Sequence, residues 1–142
     1  MMTNRHSLLS LSVSILMHAF FVTSNGDARD NWPNFHGPTG SGASHSQHTL
    51  DTLSPESIAW TAPLPGRGLS GPVVDGDNVF LTASSGPEQD RLHVLCFDTH
   101  TGKKNWERTF RATGRTMCHE KTSVATPTAC TNGNKVCVLF SS

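Results

Sequence analysis

Apolar positions along this chain fall into three regimes. Residues 8–22 form an apolar run broken by Ser10, Ser12, Ser14 and His18. Residues 31–55 are rich in Gly, Pro, Ser and His and hold no period of either 2 or 3.6, which predicts an irregular segment. From Ile58 onward, short runs of Val, Leu, Phe, Thr and Trp are divided by Gly and Pro, the pattern of strands. No window long enough for a helix keeps an apolar stripe. Strands are therefore predicted over 57–64, 70–74, 78–82, 91–97, 103–110, 125–131 and 135–140, an all-β chain. Three hairpins follow, turning at Asp75, Gly76 and Asp77, at residues 98–102, and at Asn132, Gly133 and Asn134. Each turn carries a glycine, which takes positive φ without a steric penalty, beside an Asp or Asn that can bond its own backbone.

Two of these features recur. The hairpin centred on Gly76 superposes on the one centred on Gly133, 57 residues later, with Val79 falling on Val136 and Asp75 and Asp77 replaced by Asn132 and Asn134. Ala129 stands where Pro72 stands, and Cys130 and Cys137 stand where Val73 and Phe80 stand. The tryptophan-bearing strands superpose at a different offset, Trp60 on Trp106, 46 residues apart. One insertion between Trp106 and Gly133 reconciles the two offsets, and residues 112–122 are its natural place. The repeat unit, strand–hairpin–strand–strand with tryptophan, has the length of a four-stranded propeller blade.

Charge narrows the partners. Lys+Arg 11 against Asp+Glu 11 leaves no field to attract nucleic acid or anionic lipid. The hydrophobic fraction of 35% is low, and part of it lies in the first 22 residues, so little is left for a core. Arg5 and His6 ahead of the apolar run, and small residues after it, read as an exported protein's signal peptide, with cleavage after Ser24 or Ala28. The run is too short and polar for a membrane span. The first cysteine is Cys96, so no lipid-anchor cysteine stands at the cut. Residues 1–28 are thus expected to be a signal peptide, 29–56 an irregular lead-in and 57–142 the repeats, with the product in the periplasm or outside the cell. In that compartment disulfides persist. Cys96, Cys118, Cys130 and Cys137 nevertheless read mainly as buried strand thiols, with Cys130 and Cys137 near each other across a turn and no zinc-ligand spacing among the four.

At residues 97–106, with Asp98, Thr101, Gly102, Lys103 and Trp106 in step, the sequence resembles the D-x-x-T-G-K-x-x-W signature of PQQ-like (pyrrolo-quinoline quinone repeat) β-propellers. Residues 70–80 look like that family's opening hairpin, and the lead segment 31–38 is similar to the entry of exported bacterial members. The resemblance implies that Trp106, and Trp60 by superposition, wedge between neighbouring blades, while Asp98, Thr101 and Gly102 shape the turn before the last strand. Gly76 and Gly133 close the equivalent hairpins. It further implies a partial β-propeller: about one full four-stranded blade plus parts of two others, an N-terminal fragment marginal on its own, because closed propellers need about 4–8 blades.

Candidate chemistry is sparse. Asp75, Asp77 and Asp98 are explained by turn capping, His45 and His48 share a Ser/Gly-rich loop with no third ligand, and His119, Glu120 and Lys121 sit in the insertion without defining a reaction. Ser123 has no nucleophile-elbow context. No catalytic, cofactor-binding or metal residue is assigned. The function expected is a non-catalytic propeller that binds protein or a cell-envelope polymer, similar to the propeller of the outer-membrane protein assembly machinery. The alternative is a piece of a quinoprotein alcohol or sugar dehydrogenase, which would bring PQQ and calcium; the adjacent cysteine pair often found in such enzymes is not present.

Overall fold

A computed structural model describes residues 31–44 and 52–142; the expected signal peptide and the His45/His48 loop lie outside the described residues. Four strands, β1 (Val73–Asp75), β2 (Asn78–Ser85), β3 (Arg91–Asp98) and β4 (Lys104–Arg111), form an antiparallel sheet in the order β1-β2-β3-β4. A separate two-stranded ladder joins β5 (Cys130–Thr131) to β6 (Val136–Cys137). The chain is all-β, with one 3-10 turn, Pro55–Ser57, among the described residues.

Most predicted strands are present with shifted ends, and one is not. Residues 58–64 run without ladder pairing. The physical reason lies in the sequence: Pro63 and Pro65 lack the N–H a ladder needs, and Pro55 opens a 3-10 turn through the predicted start. The expected strand 125–131 contracts to Cys130–Thr131. Pro127 again removes a donor, and Thr126 turns the chain locally, its Oγ1 donating to the Ser123 carbonyl at 2.6 Å while the Ser123 N–H donates back at 3.2 Å. Beyond Cys137 the predicted strand ends early as well, its later backbone meeting Val124 through the Ser141 N–H at 2.9 Å.

Alternation divides the sheet into two faces. On one, Val73, Phe80 and Cys96 cluster with Ala129, and Val136 and Val138 pack against them from the second hairpin. On the other, Val79, Ala83, Leu95 and Phe97 cluster, covered by Trp60 and Ala62 from the segment preceding the sheet. The chain before the sheet thus covers one face and the chain after it covers the other. β3 is the core of the arrangement, with six consecutive buried residues from Leu92 to Phe97. β4, by contrast, is exposed along nearly its whole length.

The two hairpins share one register. Val73 opposes Phe80 and Asp75 opposes Asn78 in the first; Cys130 opposes Cys137 and Thr131 opposes Val136 in the second. They also lie side by side: the Gly71 N–H donates to Thr128 Oγ1 at 3.0 Å, and Thr131 Oγ1 donates to Asp75 Oδ2 at 3.1 Å. Trp32, from the lead-in, pairs with Val74 through reciprocal N–H···O bonds of 2.9 and 3.0 Å, and Thr131 N–H donates to the Pro33 carbonyl at 2.8 Å. The lead-in is therefore bound to both hairpins at once.

Candidate functional site

The 98–102 turn is built by one carboxylate. Asp98 Oδ1 accepts from the His100 N–H at 3.1 Å, the Thr101 N–H at 2.8 Å and Thr101 Oγ1 at 2.8 Å, which holds its carboxyl below the usual range, the Thr101 hydroxyl contributing most. Gly102 follows at φ +67° and donates its N–H to the Asp98 carbonyl at 2.9 Å. Trp60 lies on this turn. Its Nε1–H donates to the Thr99 carbonyl at 2.8 Å, and a Cβ on Gly102 would lie 2.5 Å from the indole. Gly102 is thus required twice, by its φ and by the ring resting on it. Gly76 and Gly133, at φ +57° and +87°, close the other two hairpins.

Trp60 and Trp106 are not equivalent strand residues, because Trp60 is on an unpaired segment and Trp106 is on β4. They sit on opposite sides of the sheet. Trp106 opposes Cys96 and tilts against Phe80, ring centroids 5.9 Å apart at 44°. It is still 38% exposed, and Phe110 on the same face is 53% exposed, so this face is open over β4 where the second hairpin does not reach.

Sequence reasoning missed a polar chain across the sheet. Ser85 Oγ lies 2.7 Å from His93 Nε2, and His93 Nδ1 lies 2.8 Å from Glu107 Oε1. Lys104 bonds the other carboxylate oxygen of Glu107 and, ahead of His93, keeps that carboxyl below its usual range. The order hydroxyl–imidazole–carboxylate is the one that activates a serine in acyl transfer. Here it links β2, β3 and β4 diagonally, Ser85 lying opposite Arg91, His93 opposite Ala83 and Glu107 opposite Leu95, and Gly66 lies close by, since a Cβ on it would be 2.8 Å from Ser85 Cβ. The arrangement gives both ring nitrogens of a buried imidazole, 6% exposed, a hydrogen-bond partner in the middle of an apolar strand. The only cue in the sequence is a histidine inside the run Leu92–Phe97, and nothing there points to residues 85 and 107 as its partners.

A cleft of about 580 Å³ opens at the β2–β3 end of the sheet. The β2–β3 loop supplies Glu88 and Gln89, and the connection after β4 supplies Arg115, Thr116, Met117 and Cys118. Gln89 joins the two walls, its Nε2 donating to Cys118 Sγ at 3.3 Å while its Oε1 accepts from Ser84 Oγ at 2.9 Å. Arg67 holds the same connection by donating to the Glu120 carbonyl. The expected insertion 112–122 therefore forms one wall of a cleft. His119 instead caps its own loop, accepting from the Lys121 N–H at 3.1 Å.

No group of three or more His, Cys, Asp or Glu residues that could hold a metal occurs among the described residues. No helix among them is long and apolar enough to cross a membrane. Comparison with family models, with curated proteins and with solved structures returns no match.

Proposed function

We propose that this chain forms part of a non-catalytic β-propeller of the PQQ-like repeat kind, exported to the cell envelope, where its loops bind protein or an envelope polymer. The observation that carries this reading is the pair of equal-register hairpins lying side by side, with a four-stranded antiparallel sheet covered on one face by the chain before it and on the other by the chain after it. Successive blades of a propeller pack in this order, each sheet against the next. Trp106 and Phe110, exposed on the open face of β4, support the reading as apolar surface that a following blade would cover. The cleft beside Arg115 and Met117 supplies the loop surface, with a cation, amide and hydroxyl groups and a thioether for contact with an extended peptide or glycan.

The test titrates the protein with two defined probes, purified peptidoglycan fragments and peptides from outer-membrane β-barrel precursors. In parallel, PQQ with calcium is added and dye reduction by alcohols and aldoses is followed. Saturable binding to one probe, weakened at least tenfold by Arg115→Glu, is expected. Quinone-dependent dye reduction would replace the scaffold reading with a dehydrogenase, and failure to bind either probe would remove the loop-binding claim.

A further inference from the structure

We infer that Cys130 and Cys137 are an oxidative crosslinking site, closing a disulfide across the β5–β6 hairpin. The two residues are direct cross-strand partners and both are exposed. Opposed residues in antiparallel strands have Cα atoms about 4.5–5.5 Å apart, inside the roughly 4.4–6.8 Å a disulfide spans. Successive side chains alternate, and Val136 and Val138 pack onto the sheet, so Cys137 between them projects away from it; Cys130, opposite, shares that outward side.

The equivalent positions in the first hairpin show what the bond would replace. There Val73 and Phe80 occupy the same register and are both buried in the Phe80 cluster, so the two strands are joined by apolar packing. In the second hairpin the same two positions carry thiols and lie exposed. With only two paired residues on each strand, this ladder has little of its own to hold it. A covalent bond at that position supplies the missing link and keeps Val136 and Val138 seated over Val73, Phe80 and Cys96.

The other two thiols are differently placed. Cys96 is fully buried, Sγ 3.3 Å from Asn78 Oδ1, and burial pushes its thiol up, away from the reactive thiolate. Cys118 is held in the cleft wall between Gln89 and the Thr122 carbonyl. The oxidant is a small-molecule disulfide such as glutathione disulfide. One cysteine thiolate attacks it, releasing one glutathione thiolate and leaving a mixed disulfide. The second cysteine thiolate then attacks the protein sulfur of that bond and releases the second glutathione. One S–S bond is made and one broken, and the two protons lost by the cysteines pass to the released thiolates.

The full chain is incubated with glutathione disulfide, blocked with an alkylating agent and digested with trypsin without reduction. Cleavage after Arg91, Lys103, Arg115, Lys121 and Lys135 puts each cysteine in its own peptide, residues 92–103, 116–121, 122–135 and 136–142. The expected product is peptide 122–135 joined to 136–142, with Cys96 and Cys118 unlinked. Tm should rise by several degrees on oxidation, a rise absent in Cys137→Ser and retained in Cys118→Ser. Alkylation of Cys130 and Cys137 after oxidation, or a link from either one to Cys96, Cys118 or a second chain, overturns the inference. None of these readouts depends on what the protein binds.

Discussion

Glycine 102 gives the sharpest test at the scale of single residues. Gly76 and Gly102 both have positive φ, but a Cβ on Gly76 meets nothing within 4 Å, whereas one on Gly102 meets the Trp60 indole at 2.5 Å. Gly76→Ala should cost about 1 kcal/mol, the strain of a left-handed residue. Gly102→Ala should cost roughly 2–4 kcal/mol, because it adds displacement of a packed aromatic to the same strain. Urea unfolding monitored by circular dichroism checks the difference, and equal costs would show that Trp60 is not seated on the turn. Glu107 gives a pH prediction at the same scale. Its carboxyl is lowered from the ordinary 4.5, first by the Lys104 hydrogen bond and also by His93, so it stabilises the fold above that value. That contribution is lost as pH falls through the lower folded value. The wild-type chain should therefore lose stability more steeply than Glu107→Gln on acidification below about pH 5, a difference read from Tm against pH.

Elements differ in how firmly they are held. β3 has neighbours on both edges and is buried on both faces, while β4 has an open edge and β5–β6 is a two-pair ladder. Amide exchange should follow this order, slowest in β3 and faster by at least tenfold in β4 and β6. Leu95, with no exposed surface at the centre of β3, should cost about 2–5 kcal/mol when changed to Ala. The exposed edge of β4 carries Lys104, Glu107, Arg108 and Arg111, and charges of this kind discourage pairing with another chain. The strands predicted over 78–82, 91–97 and 103–110 were legible, though their ends shift and the first runs on to Ser85, because each combines β-rich composition with a glycine-bearing or loop boundary. Residues 57–64 read as a strand on the same composition, but Pro63 within them and Pro65 just after cannot donate to a ladder, and composition alone does not register that.

At the scale of the whole molecule, the unbalanced cover of the sheet is the feature with consequences. One face is covered by Trp60 and Ala62, but the other is covered only from Val73 to Cys96, leaving Trp106 and Phe110 open. A dye that fluoresces on apolar surfaces should bind the folded chain there. Changing Trp106 and Phe110 together to Ser should reduce that signal several-fold while the far-ultraviolet spectrum is kept. Retained dye binding would place the open surface elsewhere.

The sequence by itself determined the all-β class, the glycine turns and the common register of the two hairpins, because these are local properties of period and turn chemistry. It also placed Asp98, Thr101 and Gly102 in one turn, since their bonds span no more than a few residues. Only the tertiary structure decided that Trp60 rests on Gly102, that Ser85, His93 and Glu107 form one chain, and that Gln89 bridges to Cys118. Those contacts join separate parts of the chain, and which side chains meet is set by strand order and face, which no local pattern encodes.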